Sequence, residues 1–291
     1  MSLKGIAQET LQILEKGEYI SSSGKRVEFL TQQRAAVEGT TLYTPEQGYA
    51  LLEQSIEPPI EQQAEQINTD SQAQLQIEVT DETTQVAARR LVQIEGCTDL
   101  VLLNFASARN AGGGFINGAK AQEEDLTRCS GLYPCLLTQP TYYKVNRTQN
   151  SLLYTDHLIY SPAIPWFRTQ NRELLEDIFL ASVITAPAPN AGQVLRRDEN
   201  AGEEIEKVLR RRAGIILAVA QENGHRSLLL GAWGCGVFRN NPNMVADAFG
   251  KWLVSPRFSN CFERVVFAVY DSSKEGKTLK AFQRRFDFKS A

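Results

Sequence analysis

Residues Asp99 to Gly131 read DLVLLNFASARNAGGGFINGAKAQEEDLTRCSG. The first eight, 99–106, form a mostly apolar run of strand length with a polar asparagine, Asn104, near its end, the pattern of a strand buried on both faces. Three consecutive glycines follow, and then two adjacent glutamates open a helix expected to run from about Ala121 to Leu137. Glycines admit positive φ and bring backbone N–H groups against a ligand with no Cβ in the way, which suits phosphate or ribose. Glu123 and Glu124 stand at the helix start, where side chains lean back over the preceding loop. An acidic pair therefore faces an anion-binding turn. That is awkward for phosphate alone, because like charges repel, but reasonable for a glycosidic bond flanked by phosphate.

Outward from this stretch the chain alternates. LQIEV (75–79) reads as a strand, 82–93 as a helix, SLLLGAW (227–233) as a buried strand, 244–253 as a helix, ERVVFAVYD (263–271) as a strand and 278–286 as a closing helix. Between them, strand-like HLIYSP (157–162) and FLASVITA (179–186) sit in an irregular region, Ala-Pro-Ala-Pro breaks the chain, and 200–222 reads as a long helix. This is the rhythm of an α/β core with binding loops at strand carboxyl ends. Upstream, the spacing predicts a helix over 3–16 stopped by Gly17, a hairpin over 18–30, and helices at 32–38 and 45–53, the last with Thr44 as N-cap and Pro45 at its first position. Residues 57–74 are Pro- then Gln-rich and read as a connector. The expected organisation is one unit, with an N-terminal extension (1–74) packed on a core (75–291).

With 291 residues, 42% of them hydrophobic, the chain can bury a substantial core. The net charge is −3 and no long run of like charge occurs, so there is no footprint for sequence-specific nucleic-acid binding, although a local basic groove has room to exist. No apolar run is long enough to span a bilayer and MSLKGIAQET is no signal peptide, so the expectation is a soluble cytoplasmic protein. Five cysteines without a CxxC pair read as buried thiols in a reducing compartment. The two histidines, His157 and His225, have no partners at ligand spacing, so no metal is expected.

The glycine loop fails two familiar fingerprints. G-x-G-x-x-G read from Gly112 meets Asn117, and the P-loop pattern read from Gly113 reaches Gly118 but then meets Ala119, so neither a dinucleotide cofactor nor nucleotide hydrolysis is supported. A second glycine loop, GAWGCGVFRNNP (231–242), lies between a buried strand and a helix that Asn241 can cap. Its helix N-terminus would favour a diphosphate.

GGG, seven residues, QEE, together with the later GCGVF, resembles the signature of poly(ADP-ribose) glycohydrolases, nearest to the shorter bacterial type. The resemblance implies a macrodomain-like fold, a mixed sheet between helices, and hydrolysis of the ribose–ribose O-glycosidic bonds of poly(ADP-ribose), exo-acting, with release of ADP-ribose and no cofactor. By the same resemblance Glu124 is the catalytic acid/base and Glu123 holds a hydroxyl of the scissile ribose. Gly112, Gly113, Gly114 and Gln122 approach the ribose-phosphate, and Gly234, Cys235, Gly236 and Val237 offer N–H groups to the diphosphate. Phe238 packs on the terminal ribose. The family often has asparagine where Ser107 stands, so ribose contacts fall to Ser107, Asn104 or Asn110, and Tyr270 is a candidate for the adenine. The expected state is a monomer. Two alternatives share the fold: a reader that binds ADP-ribose without turnover, and a hydrolase that removes ADP-ribose from a protein side chain or nucleobase. The intact QEE separates the reader, which has no need of adjacent buried acids.

Overall fold

The computed structural model describes residues 2–54, 75–169 and 171–287; the connector expected at 57–74 lies outside them. α1 (Leu3–Lys16) starts at Ser2, whose hydroxyl accepts the Gly5 N–H, and stops at Gly17 with φ 71°. The hairpin is β1 (Glu18–Ile20) and β2 (Arg26–Glu28), followed by α2 (Leu30–Glu38), a short β3 (Thr41–Tyr43) and α3 (Pro45–Glu53). Thr44 and Gln47 form a reciprocal capping box at the start of α3, satisfying backbone donors that a helix leaves unpaired. β4 (Gln76–Thr80) leads to α4 (Thr84–Arg89), which ends in a π-helical turn at Arg90–Ile94, and then to β5 (Leu100–Phe105).

The helix expected over 121–137 is two helices, α5 (Gln122–Cys129) and α6 (Leu132–Leu137). Ser130 between them is extended and bridges Trp166, and the Gly131 N–H donates to Pro165 O. A Cβ at Gly131 would lie 1.7 Å from Gln33 Oε1, so the chain is broken where a strand and α2 dock against it. The region read as irregular holds a further helix, α7 (Pro140–Thr148), with Pro140 at its start. Its two strand seeds extend into β6 (Leu158–Arg168) and β7 (Leu174–Ala186), an antiparallel pair whose register shifts between Ser161 and Ile164, where Pro162 is tolerated. α8 (Ala191–Arg197), capped by Asn190, was not legible either. α9 (Gly202–Glu222), β8 (Ser227–Gly231), α10 (Pro242–Leu253), β9 (Arg264–Ala268) and α11 (Lys277–Phe286) complete the chain.

Seven strands form one sheet in the order β3-β6-β7-β5-β8-β9-β4. β7, β5, β8, β9 and β4 run parallel, while β6 and β3 add an antiparallel flank, so residues 41–43 supply one edge of the same sheet. Alternate residues of each central strand face opposite layers. Val101, Leu103, Leu228, Leu230, Val265 and Phe267 join the core under α9, α10 and α11. Leu100, Leu102, Leu229 and Val266 join the one under α4, α5, α6 and α7. β5 is thus walled in on both faces and both edges, as its continuous apolar run demanded.

Candidate active site

β5 and β8 are parallel neighbours, so the two glycine loops leave the sheet side by side at its carboxyl end. Between them opens a cleft of about 1360 Å³, also bounded by the start of α4, one face of α7 and the start of α11. The exit of β5 is fixed first. The Gln122 amide accepts the Phe105 N–H at 2.8 Å and donates to Leu103 O at 2.8 Å and Thr84 Oγ1 at 3.2 Å. Gln122, expected to meet the ligand, reaches the cleft wall with an amide already committed to the strand end.

That anchor places Glu123 and Glu124 in the first turn of α5, and both line the cleft. Successive residues do not share a helix face, so this is possible only at the loop–helix junction. Glu123 is 2% exposed. Its Oε2 accepts the Ser107 N–H at 2.7 Å and its Oε1 accepts from Asn104 Nδ2 at 3.2 Å. Burial pushes its pKa up to about 8, with the Glu124 charge adding to the rise and the Ser107, Asn104 and Gly112 donors opposing it. Burial thus favours the protonated, uncharged form of Glu123. This relieves the repulsion that an anion beside two carboxylates would meet. Glu124 is half-buried, and its Oε1 accepts the Gly114 N–H at 3.0 Å.

The glycines are required by these carboxylates as much as by a ligand. Gly113 has φ 59°, and a Cβ there would stand 2.3 Å from Glu124 Oε1 and 3.1 Å from Glu123 Oε2. Gly113 and Gly114 face the cleft, whereas Gly112 turns behind it against Phe115, Thr127 and Tyr133. Asn104, expected as a ribose contact, is fully buried behind Glu123, does not line the cleft and also donates to Thr185 Oγ1, so it orients the carboxylate from behind. Its Oδ1 is buried without a partner. Turned over, the same amide would offer Oδ1 to the proton of a neutral Glu123. Ser107 and Asn110 do line the cleft, and the Ser107 hydroxyl accepts the Asn110 N–H at 3.1 Å to shape the turn.

In the second loop Gly234 has φ 71°, and a Cβ there would clash with Ala188 Cβ and Asn240 Nδ2, both at 2.4 Å. Asn240 Nδ2 donates to Pro189 O at 2.8 Å and Gly234 O at 3.1 Å, pinning the loop to the Ala-Pro-Ala-Pro segment. The Cys235 N–H, expected to face a diphosphate, is taken by Ala232 O at 3.1 Å. Among the described residues the N–H groups of Gly236, Val237 and Phe238 have no protein acceptor, and these residues line the cleft. Burial raises the Cys235 thiol to about 12, which keeps it protonated and unreactive. Phe238 is half-buried at the wall, 5.9 Å from the Tyr154 ring. Tyr270 is 62% exposed at the rim, beside Ser272 and Thr278.

Several cleft residues were missed from the sequence. Tyr143 and Arg147 come from α7, and the signal that could have found them is Pro140 as a helix-starting residue. Arg212 is fully buried and holds the Ala-Pro-Ala-Pro segment to which Asn240 pins the second loop. It pairs with Asp156 at 2.8 Å and donates to Pro187 O at 2.6 Å and Leu153 O at 3.1 Å, while Arg211 and Tyr49 hold the other Asp156 oxygen.

The family model described as microbial-type PARG, catalytic domain, matches residues 7–169. Among solved structures, a poly(ADP-ribose) glycohydrolase from Thermomonospora curvata bound to the inhibitor ADP-HPD is similar at 44% identity and TM-score 0.87, covering 98% of this chain and 99% of that one. One from Deinococcus radiodurans in complex with ADP-ribose is similar at 45% identity and TM-score 0.75, covering 87% of this chain and 96% of that one. No curated protein sequence matches the chain. The family match spans the first glycine loop and the acidic pair, and the structural matches extend over the second loop.

Proposed function

The chain belongs to the microbial-type poly(ADP-ribose) glycohydrolases, and from that premise we propose how its cleft breaks the ribose–ribose bond. The observation that carries the reading is the pair Glu123–Glu124, one carboxyl buried so that its pKa is raised, the other held by the Gly114 N–H at the open cleft. ADP-ribose lies across both loops, its terminal ribose over Gly113 and Gly114 and its diphosphate against the N–H groups of Gly236, Val237 and Phe238. Phe238 packs on that ribose, Ser107 and Asn110 meet its hydroxyls, and Tyr270 lies beside the adenine.

Glu124, acting as the general acid, gives a proton to the oxygen that leaves as the C–O bond breaks, and the ribose carbon becomes oxocarbenium-like. The resulting carboxylate takes a proton from the water that adds to this carbon. Neutral Glu123 hydrogen-bonds a ribose hydroxyl without adding a second charge, and Asn104 and Gln122 keep the pair in place. Positioned proton transfer of this kind contributes roughly 10²–10⁴ in rate. A monomeric enzyme and exo action that frees ADP-ribose one unit at a time belong to the same proposal.

Incubation with poly(ADP-ribose), followed by chromatography of the products, tests both parts. ADP-ribose accumulating from the first time points supports the reading. Intact polymer overturns it, and early oligomers with little ADP-ribose overturn the exo mode alone.

A further inference from the structure

Two neighbouring tyrosines of α7 carry buried hydroxyls that have no hydrogen-bond partner among the described residues. Tyr142 is fully buried and Tyr143 nearly so, and their rings meet edge to face with centroids 4.8 Å apart. They differ at the cleft: Tyr143 lines it and Tyr142 does not. Arg147, one turn after Tyr143 and so on the same face of α7, also lines the cleft and donates to Arg109 O at 2.8 Å. That bond ties this face to the turn whose Ser107 N–H holds Glu123. Glu123 and Tyr143 are the least exposed polar side chains of the cleft wall, at 2% and 4%. They are near enough that a charge on Glu123 would add to the rise that burial gives the Tyr143 phenol. The phenol therefore keeps its proton and stays a donor. A buried hydroxyl without a partner costs stability, and packing alone does not call for it, since phenylalanine would fill the same space.

We propose that the Tyr143 hydroxyl is a substrate contact, donating to a hydroxyl of the terminal ribose, the same sugar that Glu123 holds. The inference rests on the glycohydrolase reading above, which sets that ribose over Gly113 and Gly114. A ribose hydroxyl that gives its proton to an acceptor keeps two lone pairs, and in a buried position these need a donor. Tyr143 supplies one from α7, an element separate from the loop and helix that carry the two acids. Held from two elements, the sugar keeps its reacting carbon beside Glu124. The contact also favours ligands that carry the sugar, since ADP, which lacks it, gains nothing from this hydroxyl.

The test compares Tyr143→Phe with Tyr142→Phe, each of which removes one buried oxygen. Tyr143→Phe is expected to bind ADP-ribose roughly tenfold more weakly and ADP as the native chain does, with a loss of similar size in kcat/KM on poly(ADP-ribose). Tyr142→Phe keeps the native affinity and turnover. Neither variant unfolds at a lower denaturant concentration than the native chain, because each hydroxyl lost had no protein partner. Native affinity for ADP-ribose in Tyr143→Phe overturns the proposal, and so does an equal loss for ADP and ADP-ribose, which puts the effect away from the sugar. An unfolding midpoint that drops in Tyr143→Phe also overturns it, by showing that the oxygen serves the fold. A native chain that prefers ADP-ribose to ADP but leaves the polymer intact counts instead against the glycohydrolase reading.

Discussion

Gly113 must be glycine for two separate reasons. Its φ of 59° lies in the left-handed region, and a Cβ would overlap the Glu124 carboxylate at 2.3 Å. Gly113→Ala is expected to cost about 1–2 kcal/mol from the backbone conformation alone. Its larger effect falls on turnover, because displacing a reacting group by about 1 Å can cost on the order of 10²-fold. Denaturant unfolding read beside kcat checks the pair: a large loss of stability with normal turnover would contradict it. Glu123 gives a second residue-scale expectation. Above a pKa of about 8 it ionises beside Glu124, so activity falls on the alkaline side, and Glu123→Gln loses that limb while its rate at pH 7 stays within about the range of one hydrogen bond. A pH–rate profile of the two proteins is the measurement. The sequence placed both glutamates at the cleft and the resemblance divided their roles, but the burial of Glu123 was not legible, since it depends on the end of β5 folding back over the start of α5 through Asn104 and Ser107.

Among elements, the β5–loop–α5 unit was legible because its apolar run, glycines and acids are consecutive. The break at Ser130–Gly131 was not, because it arises from Pro165 and Gln33, which no local pattern couples to the helix. α7 was hidden because its Tyr-Tyr pair looks strand-like, leaving Pro140 at its start as the one local sign of a helix. The support of the second loop was equally hidden in α9, where Arg212 reads as one more charged residue and is in fact fully buried on Asp156. Removing one member of a buried pair typically costs about 3–5 kcal/mol, so Arg212→Met is expected to destabilise by that order. Asp156→Leu/Arg212→Met should recover part of the loss, because no charge then stays buried without a partner: Arg211, which also met Asp156, is partly open to solvent. Chemical denaturation of the three proteins decides, and a double variant worse than the single one would count against the account.

At the scale of the molecule, one sheet carries both loops on adjacent strands, and two apolar layers hold that sheet rigid under them. This rigidity keeps a carboxyl buried at a cost to stability. Glu123 binds a proton in the folded chain at pH values where an unfolded carboxyl, near its model value of 4.5, has lost it. More protons bound in the native state mean that stability falls as pH rises through that window, up to about 8, and then levels off. Melting temperatures across this range should fall more steeply for the native chain than for Glu123→Gln; parallel curves would show that Glu123 does not hold its proton. The α/β class and the two glycine loops at strand carboxyl ends followed from the chain's alternation, whereas the strand order came only with the folded sheet. The edge strand at 41–43 did not, because three residues with one hydrophobic neighbour carry no strand signal of their own.

The most direct test of the central claim separates the two acids on one substrate. Native chain, Glu124→Gln and Glu123→Gln are each given poly(ADP-ribose) at pH 7, release of ADP-ribose is timed, and ADP-ribose affinity is measured alongside. The account predicts that Glu124→Gln loses roughly 10²-fold or more in kcat while binding ADP-ribose as the native chain does, and that Glu123→Gln retains the larger share of turnover. A Glu124→Gln protein that turns over at the native rate, or a Glu123→Gln protein that is the more inactive of the two, would contradict it.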